Sequence, residues 1–346
     1  MGRVPLTERR ARMPRATVRA RRATVAVAGF LLLPSVGACD RDAPAPTASA
    51  SVTQVPPGRP SSQPQTPPPA PHPPRTEAAS PAAGDESPVA LPGATTVRGR
   101  SSTVTGTVDR TTLTAYARMA DRAVVEVSSH WSRSWPRRVS IIAPRDATAF
   151  REQVGRADDL SQVAAVTDGP VGTSGLATGD RVILNPDAFA RLTPTGRQFV
   201  LTHESTHVAV RASLAGAAPL WLVEGFADHV GYSGSGRSTR ELAAALLDRV
   251  RVGKGPARLP TPGDFDPSQG EIGPAYLAAW LAVDLIARRH GESTLQRFYE
   301  ASTVRASAAQ ADAATDRAFI DVLGTTREAF TKQWLAELDR LATTSP

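Results

Sequence analysis

Proline is distributed so unevenly along this chain that it limits where a folded core can form. Of the 30 prolines among 346 residues, half fall between residues 40 and 98, mixed with Ala, Ser, Thr and Gln and with few large apolar side chains. Such a segment cannot bury enough apolar surface to offset the entropy that folding costs. We therefore expect residues 39–98 to be a disordered tether and residues 99–346 to form one folded domain.

The segment before the tether has the features of an export signal. Eight arginines accompany an apolar run from Ala23 to Leu33, which is too short for the roughly twenty residues that cross a bilayer. Small residues and the only cysteine, Cys39, follow. This ending resembles a bacterial lipoprotein signal, which implies removal of residues 1–38 and a lipid on Cys39 that anchors the chain to the outer face of the cell membrane. An uncleaved anchor and a soluble secreted product are the alternatives.

The positive charge of the chain belongs to this leader. Residues 1–39 contain eight Arg and one Glu, which equals the net charge of +7 for the whole chain, so the remainder balances 32 basic against 32 acidic residues. A neutral mature protein gives no reason to expect a nucleic-acid partner. With Cys39 lipidated, neither a disulfide nor a thiolate metal site is available.

Two regions of different periodicity follow the tether. The patterns predict helices at 111–131 and 147–154 and strands at 138–143, 163–166 and 181–184. After Arg197 the pattern is helical almost to the end. We therefore predict an α+β fold with a mixed N-terminal lobe and a helical C-terminal lobe. We also expect Val182 to Leu184 to be the strand at the edge of the cleft, where it would pair with an extended peptide.

The sequence His203-Glu204-Ser205-Thr206-His207 follows the pattern HExxH within an apolar stretch that is predicted to be a buried helix. Histidines at positions i and i+4 lie on one helix face, about 6 Å apart, so both rings can reach one metal ion. Ionisable side chains in a buried helix are costly unless they are paired or bind a metal. Glu204, between the histidines, is placed to take a proton from an attacking water.

Glu224 is the best candidate for a third ligand. Pro219 is predicted to open a second helix after a short connection, and the two helical paths from the connection to His207 and to Glu224 are of similar length. An antiparallel pair of helices would then bring Glu224 level with the histidines. Asp228 lies one turn further on the same face, where it can accept a hydrogen bond from a ligand histidine. A set of two His and one Glu suits Zn²⁺ best among the common ions.

The block HESTH followed by WLVEGFAD resembles the gluzincin metallopeptidases, the thermolysin-like branch of the zincins, and especially the small bacterial peptidase-MA-like domains. The resemblance extends over roughly residues 100 to 340, but only these two blocks are specific. It implies a zincin-like fold, one Zn²⁺ per chain and hydrolysis of a peptide or protein substrate. It assigns zinc binding to His203, His207 and Glu224, the general base to Glu204, and the orientation of a histidine to Asp228.

Gluzincins also use a Tyr or His donor to stabilise the oxyanion of the reaction. Tyr276 is assigned this role because it starts a predicted helix that is similar to the C-terminal helix of the family. His229 and Tyr232 are the alternatives, although we expect His229 at the rim or surface and Tyr232 in a flexible turn. His130 and His290 have no partner at a metal-binding spacing and are interpreted as structural.

The sequence therefore predicts a membrane-tethered, extracytoplasmic zinc metallopeptidase. One alternative is a catalytically silent domain that binds a peptide or cell-wall component, and the presence of Glu204 argues against it. Another alternative is a scaffold lipoprotein, which a dry, closed cleft around His203 would favour.

Overall fold

The computed structural model describes residues 27–29, 90–155, 160, 163–305 and 307–343. Cys39, most of the expected leader and most of the expected tether lie outside these residues. Within them the protein is a mixed α/β structure, and none of its helices is both long enough and apolar enough to cross a membrane.

Six strands form one mixed sheet. They are β1 Val27–Gly29, β2 Thr95–Arg98, β3 Ser102–Gly106, β4 Val139–Ala143, β5 Val163–Asp168 and β6 Arg181–Leu184. The spatial order is β1-β5-β6-β4-β3-β2, in which β3, β4 and β6 are parallel while β2 and β5 run antiparallel to their neighbours. The predicted strands β4, β5 and β6 are confirmed.

Eleven helices occur in the described part of the chain. They are α1 Arg110–His130, α2 Ala147–Val154, α3 Pro186–Ala190, α4 Pro194–Ser213, α5 Leu220–Ser233, α6 Thr239–Leu242, α7 Ala244–Arg251, α8 Gly273–His290, α9 Glu292–Ser302, α10 Ala308–Asp321 and α11 Arg327–Thr343. The predicted helices α1 and α2 are confirmed. Every described strand precedes residue 185, so the expected order of a mixed region and then a helical region is also confirmed.

The hairpin of β2 and β3 was not predicted, and it corrects the expected start of the domain. A boundary at residue 98 would separate the two strands, yet Val97 of β2 pairs with Val104 of β3. Asp121 of α1 holds the turn between them by accepting hydrogen bonds from the backbone N–H of Ser101 at 2.8 Å and the hydroxyl of Ser102 at 2.9 Å. The folded domain therefore includes residues on the N-terminal side of Gly99.

The position of β6 contradicts the expectation that Val182 to Leu184 form a cleft edge. β6 lies between β4 and β5 and pairs with both, so its backbone groups already have partners within the sheet. Its apolar run reflects burial on both faces, which is typical of an interior strand. β5 lies nearer the margin of the sheet, and its only other partner is the three-residue β1.

Helices cover the two faces of this sheet. Side chains from α1 and α4 pack against one face, whereas Phe150 and Val154 of α2 pack with Ile183 against the other. α4 also packs against α5, and α5 packs closely against α8. As a result α4, which contains the HExxH residues, is buried along most of its length.

Both ends of α4 are fixed by polar contacts. Thr193 accepts a hydrogen bond from the Gly196 N–H, which caps the N-terminus. At the other end Arg211 forms a buried ion pair with Asp180, with Nε and Oδ2 at 2.7 Å, which ties the helix to the segment before β6. The connection from α4 to α5 is residues 214–219, so the expected short connection is confirmed, and Pro219 is the N-cap of α5.

Candidate metal centre

The antiparallel arrangement of α4 and α5 brings His203, His207 and Glu224 into one buried cluster. The Nε2 atoms of the two histidines are 3.0 Å apart, and Oε2 of Glu224 lies 3.3 Å from Nε2 of His203 and 3.6 Å from Nε2 of His207. One atom of each residue therefore points to a common centre.

These distances fit a zinc ion. Ligand atoms about 2.1 Å from a tetrahedral Zn²⁺ lie about 3.4 Å from one another, which is close to the three observed separations. Both carboxylate oxygens of Glu224 are buried without a hydrogen-bond partner. Oε2 lies near the two histidine nitrogens but forms no well-oriented hydrogen bond with them, so burial of this carboxylate is costly. Coordination to a cation would remove that cost. Two imidazoles and one carboxylate also form a ligand set that suits zinc.

Asp228 lies where it can orient one of these histidines. Nδ1 of His203 donates a hydrogen bond of 2.7 Å to Oδ1 of Asp228, so Nε2 is directed toward His207 and Glu224. Burial lowers the pKa of His203, but Asp228 and Glu224 outweigh burial and raise that pKa to about 10. Burial itself raises the pKa of Asp228. A metal ion must therefore displace a proton from the cluster in order to bind.

Glu204 is held beside the cluster by a residue that the sequence did not indicate. The hydroxyl of Thr167, on β5, donates a hydrogen bond of 2.5 Å to Oε2 of Glu204, whereas Oε1 of Glu204 is buried without a partner. Burial raises the pKa of Glu204. Burial also raises the pKa of Glu224, but His207 and His203 outweigh it, so the net shift of the Glu224 pKa is downward.

The three candidate oxyanion donors occupy different surroundings. The ring of Tyr276 lies 6.4 Å from the ring of His203, measured between centroids, at the start of α8. Tyr232 belongs to the last turn of α5 rather than to a flexible turn, and its ring stacks on Phe199 at 4.2 Å. Of the three, Tyr276 is the one whose ring contacts a metal-ligand candidate.

His229 is not a surface residue, which corrects that expectation. It is 9% exposed, and its Nε2 lies 2.9 Å from Oε1 of Glu292. As its position next to Asp228 predicts, it faces away from His203 and His207.

Aromatic side chains cover the cluster. The ring of Phe265, in a short 3₁₀ turn at Pro262–Phe265, packs edge-on against Tyr276 with centroids 5.1 Å apart. Because the ring of Tyr276 in turn lies beside that of His203, these two rings form an aromatic layer on one side of the histidine. The side chains of His203, His207, Glu204, Glu224 and Asp228 are at most 3% exposed.

No protein-family model matches this sequence, no curated protein matches it, and no solved structure matches its fold. The geometry of the cluster is therefore the main support for a function.

Proposed function

We propose that this protein is a zinc metallopeptidase of the gluzincin type with a zincin-like arrangement of lobes. The observation that supports this best is the triangle of His203, His207 and Glu224, with ligand atoms 3.0 to 3.6 Å apart. Beside it lies Glu204, a carboxylate with one oxygen that has no partner. A purely structural metal site has no use for such an additional carboxylate.

Zinc held by the three ligands would lower the pKa of a coordinated water to about 7 and polarise the scissile carbonyl. Glu204 accepts the proton of the attacking water and then passes it to the nitrogen of the departing amine. Its raised pKa suits this exchange, because the group must hold the proton between the two steps. Thr167 fixes one carboxylate oxygen and leaves the other for the proton.

Two further residues complete the proposed mechanism. Asp228 keeps the ring of His203 in the orientation that directs Nε2 to the metal, through the hydrogen bond at Nδ1. Tyr276 is the proposed donor to the oxyanion, a role worth about 3 kcal/mol where one donor has been removed.

The substrate would pair with β5 rather than with β6. β1 lies within the expected leader, so removal of residues 1–38 would leave β5 at the edge of the sheet. An extended peptide added there would run past Thr167 and hence past Glu204. Peptides methylated at one backbone nitrogen at a time should lose kcat/KM at alternate positions near the scissile bond. A uniform loss, or none, would contradict strand addition.

We further propose that the domain acts outside the cytoplasm on a lipid anchor at Cys39, joined to it by the tether. The length and composition of the chain between Cys39 and β2 support this, because such a segment separates a domain from a surface without folding. Cys39→Ala should then move the protein from the membrane fraction to the soluble extracytoplasmic fraction. Retention of this variant in the membrane fraction would contradict the lipid anchor.

The alternative is a closed domain that binds a partner without catalysis. The observation that favours it is the burial of the cluster, with the aromatic layer of Tyr276 and Phe265 beside His203. Catalysis requires this layer to open.

The deciding experiment measures zinc content and hydrolysis of a mixed peptide library by the full chain. Wild-type protein, Glu204→Gln and an exposed control, Glu152→Gln, are compared with and without chelator. We expect zinc in all three, and hydrolysis by wild type and Glu152→Gln only, lost on chelation and restored by zinc. Zinc without hydrolysis in the wild type would favour the binding domain. No zinc at this site would refute the metal centre.

A further inference from the structure

A second group of metal-ligating side chains lies away from the cluster described above. It consists of His130 at the end of α1, His229 on α5 and Glu292 at the start of α9, each with one ligand atom within 4.8 Å of the others. Residues so far apart in the chain have no sequence spacing that would reveal them. The interpretation of His130 as structural rested on sequence spacing, which could not show this grouping.

Each ring nitrogen of His229 faces a carboxylate, as in His203, although the contact with Asp284 is longer than a hydrogen bond. Nε2 of His229 lies 2.9 Å from Oε1 of Glu292, and Nδ1 lies 3.7 Å from Oδ1 of Asp284. In the first cluster Nε2 of His203 faces Glu224 while Nδ1 faces Asp228. In a metal-binding histidine, one ring nitrogen binds the metal next to a ligand carboxylate, and the other ring nitrogen faces a second carboxylate that orients the ring.

The contacts of His130 involve one of its two ring nitrogens. Its Nδ1 lies 3.1 Å from the backbone carbonyl oxygen of Glu126. A carbonyl oxygen can only accept a hydrogen bond, so Nδ1 is the donor in this contact, and Nε2 is the ring nitrogen that is left for a metal ion. The hydroxyl of Ser129, which itself donates to the same carbonyl oxygen, lies 3.0 Å from Nδ1. The rings of His130 and His229 lie edge to face, with centroids 6.0 Å apart.

The charges around this group favour a cation. The carboxylates of Glu126, Asp284 and Glu292 all lie within 4 Å of a ring nitrogen of His130 or His229. One cation, Arg288, pairs with Asp284 at 2.7 Å and offsets part of this charge. The side chain of Glu292 is 51% exposed, so the site is open to solvent on that side.

We propose that His130, His229 and Glu292 form a second zinc site, separate from the catalytic centre and open to water. Two imidazoles and a carboxylate select Zn²⁺ over Mg²⁺ and Ca²⁺, which prefer all-oxygen sites. A zinc ion there would join the ends of α1 and α9 to α5, the helix that also carries Glu224. Because the site is exposed, we expect it to bind zinc more weakly than the buried centre.

The test is zinc stoichiometry of the full chain by equilibrium dialysis against buffered free Zn²⁺, read by elemental analysis. We expect two zinc ions per chain in wild type, one in His130→Ala, and a second binding step at least tenfold weaker in Glu292→Gln. His207→Ala should retain one zinc, and His207→Ala with His130→Ala should retain none. The controls are His290→Ala, which removes an exposed histidine at the end of α8, and Glu271→Gln, an exposed carboxylate.

Loss of zinc in His290→Ala as large as in His130→Ala would show non-specific binding and overturn the proposal. The proposal would also be overturned if His130→Ala and Glu292→Gln bound as much zinc as the wild type does. In that case His130, His229 and Glu292 would form only a histidine–carboxylate contact. If the catalytic centre fails instead, wild type should bind one zinc that His130→Ala removes. Failure of one site is thus distinguishable from failure of the other.

Discussion

Glu204 and Glu224 are both completely buried, yet their surroundings move their pKa values in opposite directions. For Glu204 burial dominates and the pKa rises, whereas for Glu224 the adjacent His207 and His203 outweigh burial and the pKa falls. A carboxylate that stays ionised is suited to bind a metal, and one that accepts a proton readily is suited to be the base. The two environments thus match the two roles that the sequence assigned.

Replacement of Thr167 by Val should reduce catalysis without loss of zinc. Val has nearly the same shape but cannot donate the hydrogen bond that fixes Oε2 of Glu204. Because a small displacement of a catalytic group is costly, we expect kcat to fall about tenfold to a hundredfold. Thr167→Ser, which keeps the hydroxyl, is the control. Steady-state kinetics equal to wild type in Thr167→Val would show that β5 does not position the base.

At the residue scale, the sequence predicted those residues of the candidate site that lie on one helix or on two consecutive helices. The spacing of His203, His207 and Glu224 reflects helix geometry and therefore could be read from the chain. Thr167 and His130 could not be found in this way, because their partners come from elements that only tertiary packing brings together.

At the element scale, the close contact between α5 and α8 determines where Glu224 lies. Gly225, its neighbour, allows this contact, since a Cβ atom there would lie 2.5 Å from the carbonyl oxygen of Ala279. The Gly in the block WLVEGFAD is thus explained by helix packing. The sequence showed this residue but not the helix against which it packs.

Gly225→Ala should weaken both the fold and the zinc site. Helix propensity alone would favour Ala by about 1 kcal/mol. The added methyl group instead forces α5 away from α8, and overpacking of this kind costs about 1 to 3 kcal/mol. Denaturant unfolding should show lower stability, and zinc competition should show weaker binding. Gly263→Ala, where a Cβ meets no atom within 4 Å, is the control. A Gly225→Ala variant more stable than wild type would contradict the packing argument.

The 3₁₀ turn that contains Phe265 should control access to the cluster. An ion pair between Arg258 and Asp264, with Nη1 and Oδ2 at 2.6 Å, holds this turn. In Phe265→Ala the layer over Tyr276 is lost, so we expect a chelator to remove zinc several times faster than from wild type. Val252→Ala, at an exposed apolar position before the turn, is the control. Equal rates of zinc release would show that access lies elsewhere.

The strands show why part of the fold could not be predicted from the sequence. β2 has only one buried side chain, Val97, and follows a segment rich in Pro and Ala, so composition assigned it to the tether. β6 was recognised as a strand, but a short apolar run does not show which strands lie on either side of it. Strand order depends on pairing between distant segments, which periodicity does not encode.

At the scale of the whole molecule, the candidate metal centre places three carboxylates and two imidazoles in the buried part of the fold. Four of the carboxylate oxygens have no hydrogen-bond partner: Oε1 of Glu204, both oxygens of Glu224 and Oδ2 of Asp228. Each unpaired buried polar group costs about 1 to 3 kcal/mol. α4 packs against the sheet, α1 and α5. These unpaired groups therefore lower the free energy of unfolding of the whole domain.

Removal of zinc should therefore lower the melting temperature of the full chain substantially. A ligand that binds only the folded state adds about 4 kcal/mol when its free concentration is a thousand times Kd. For a domain of this size that corresponds to a loss of about 8 to 16 °C on chelation. Glu204→Gln should show nearly the same loss, because Glu204 is not a ligand. His207→Ala should melt at a low temperature from the start, and chelation should lower it only by the contribution of the second site. A wild-type protein that loses its zinc yet melts at an unchanged temperature would mean that the apo cluster is stable by itself, and the argument from its unpaired carboxylates would fail.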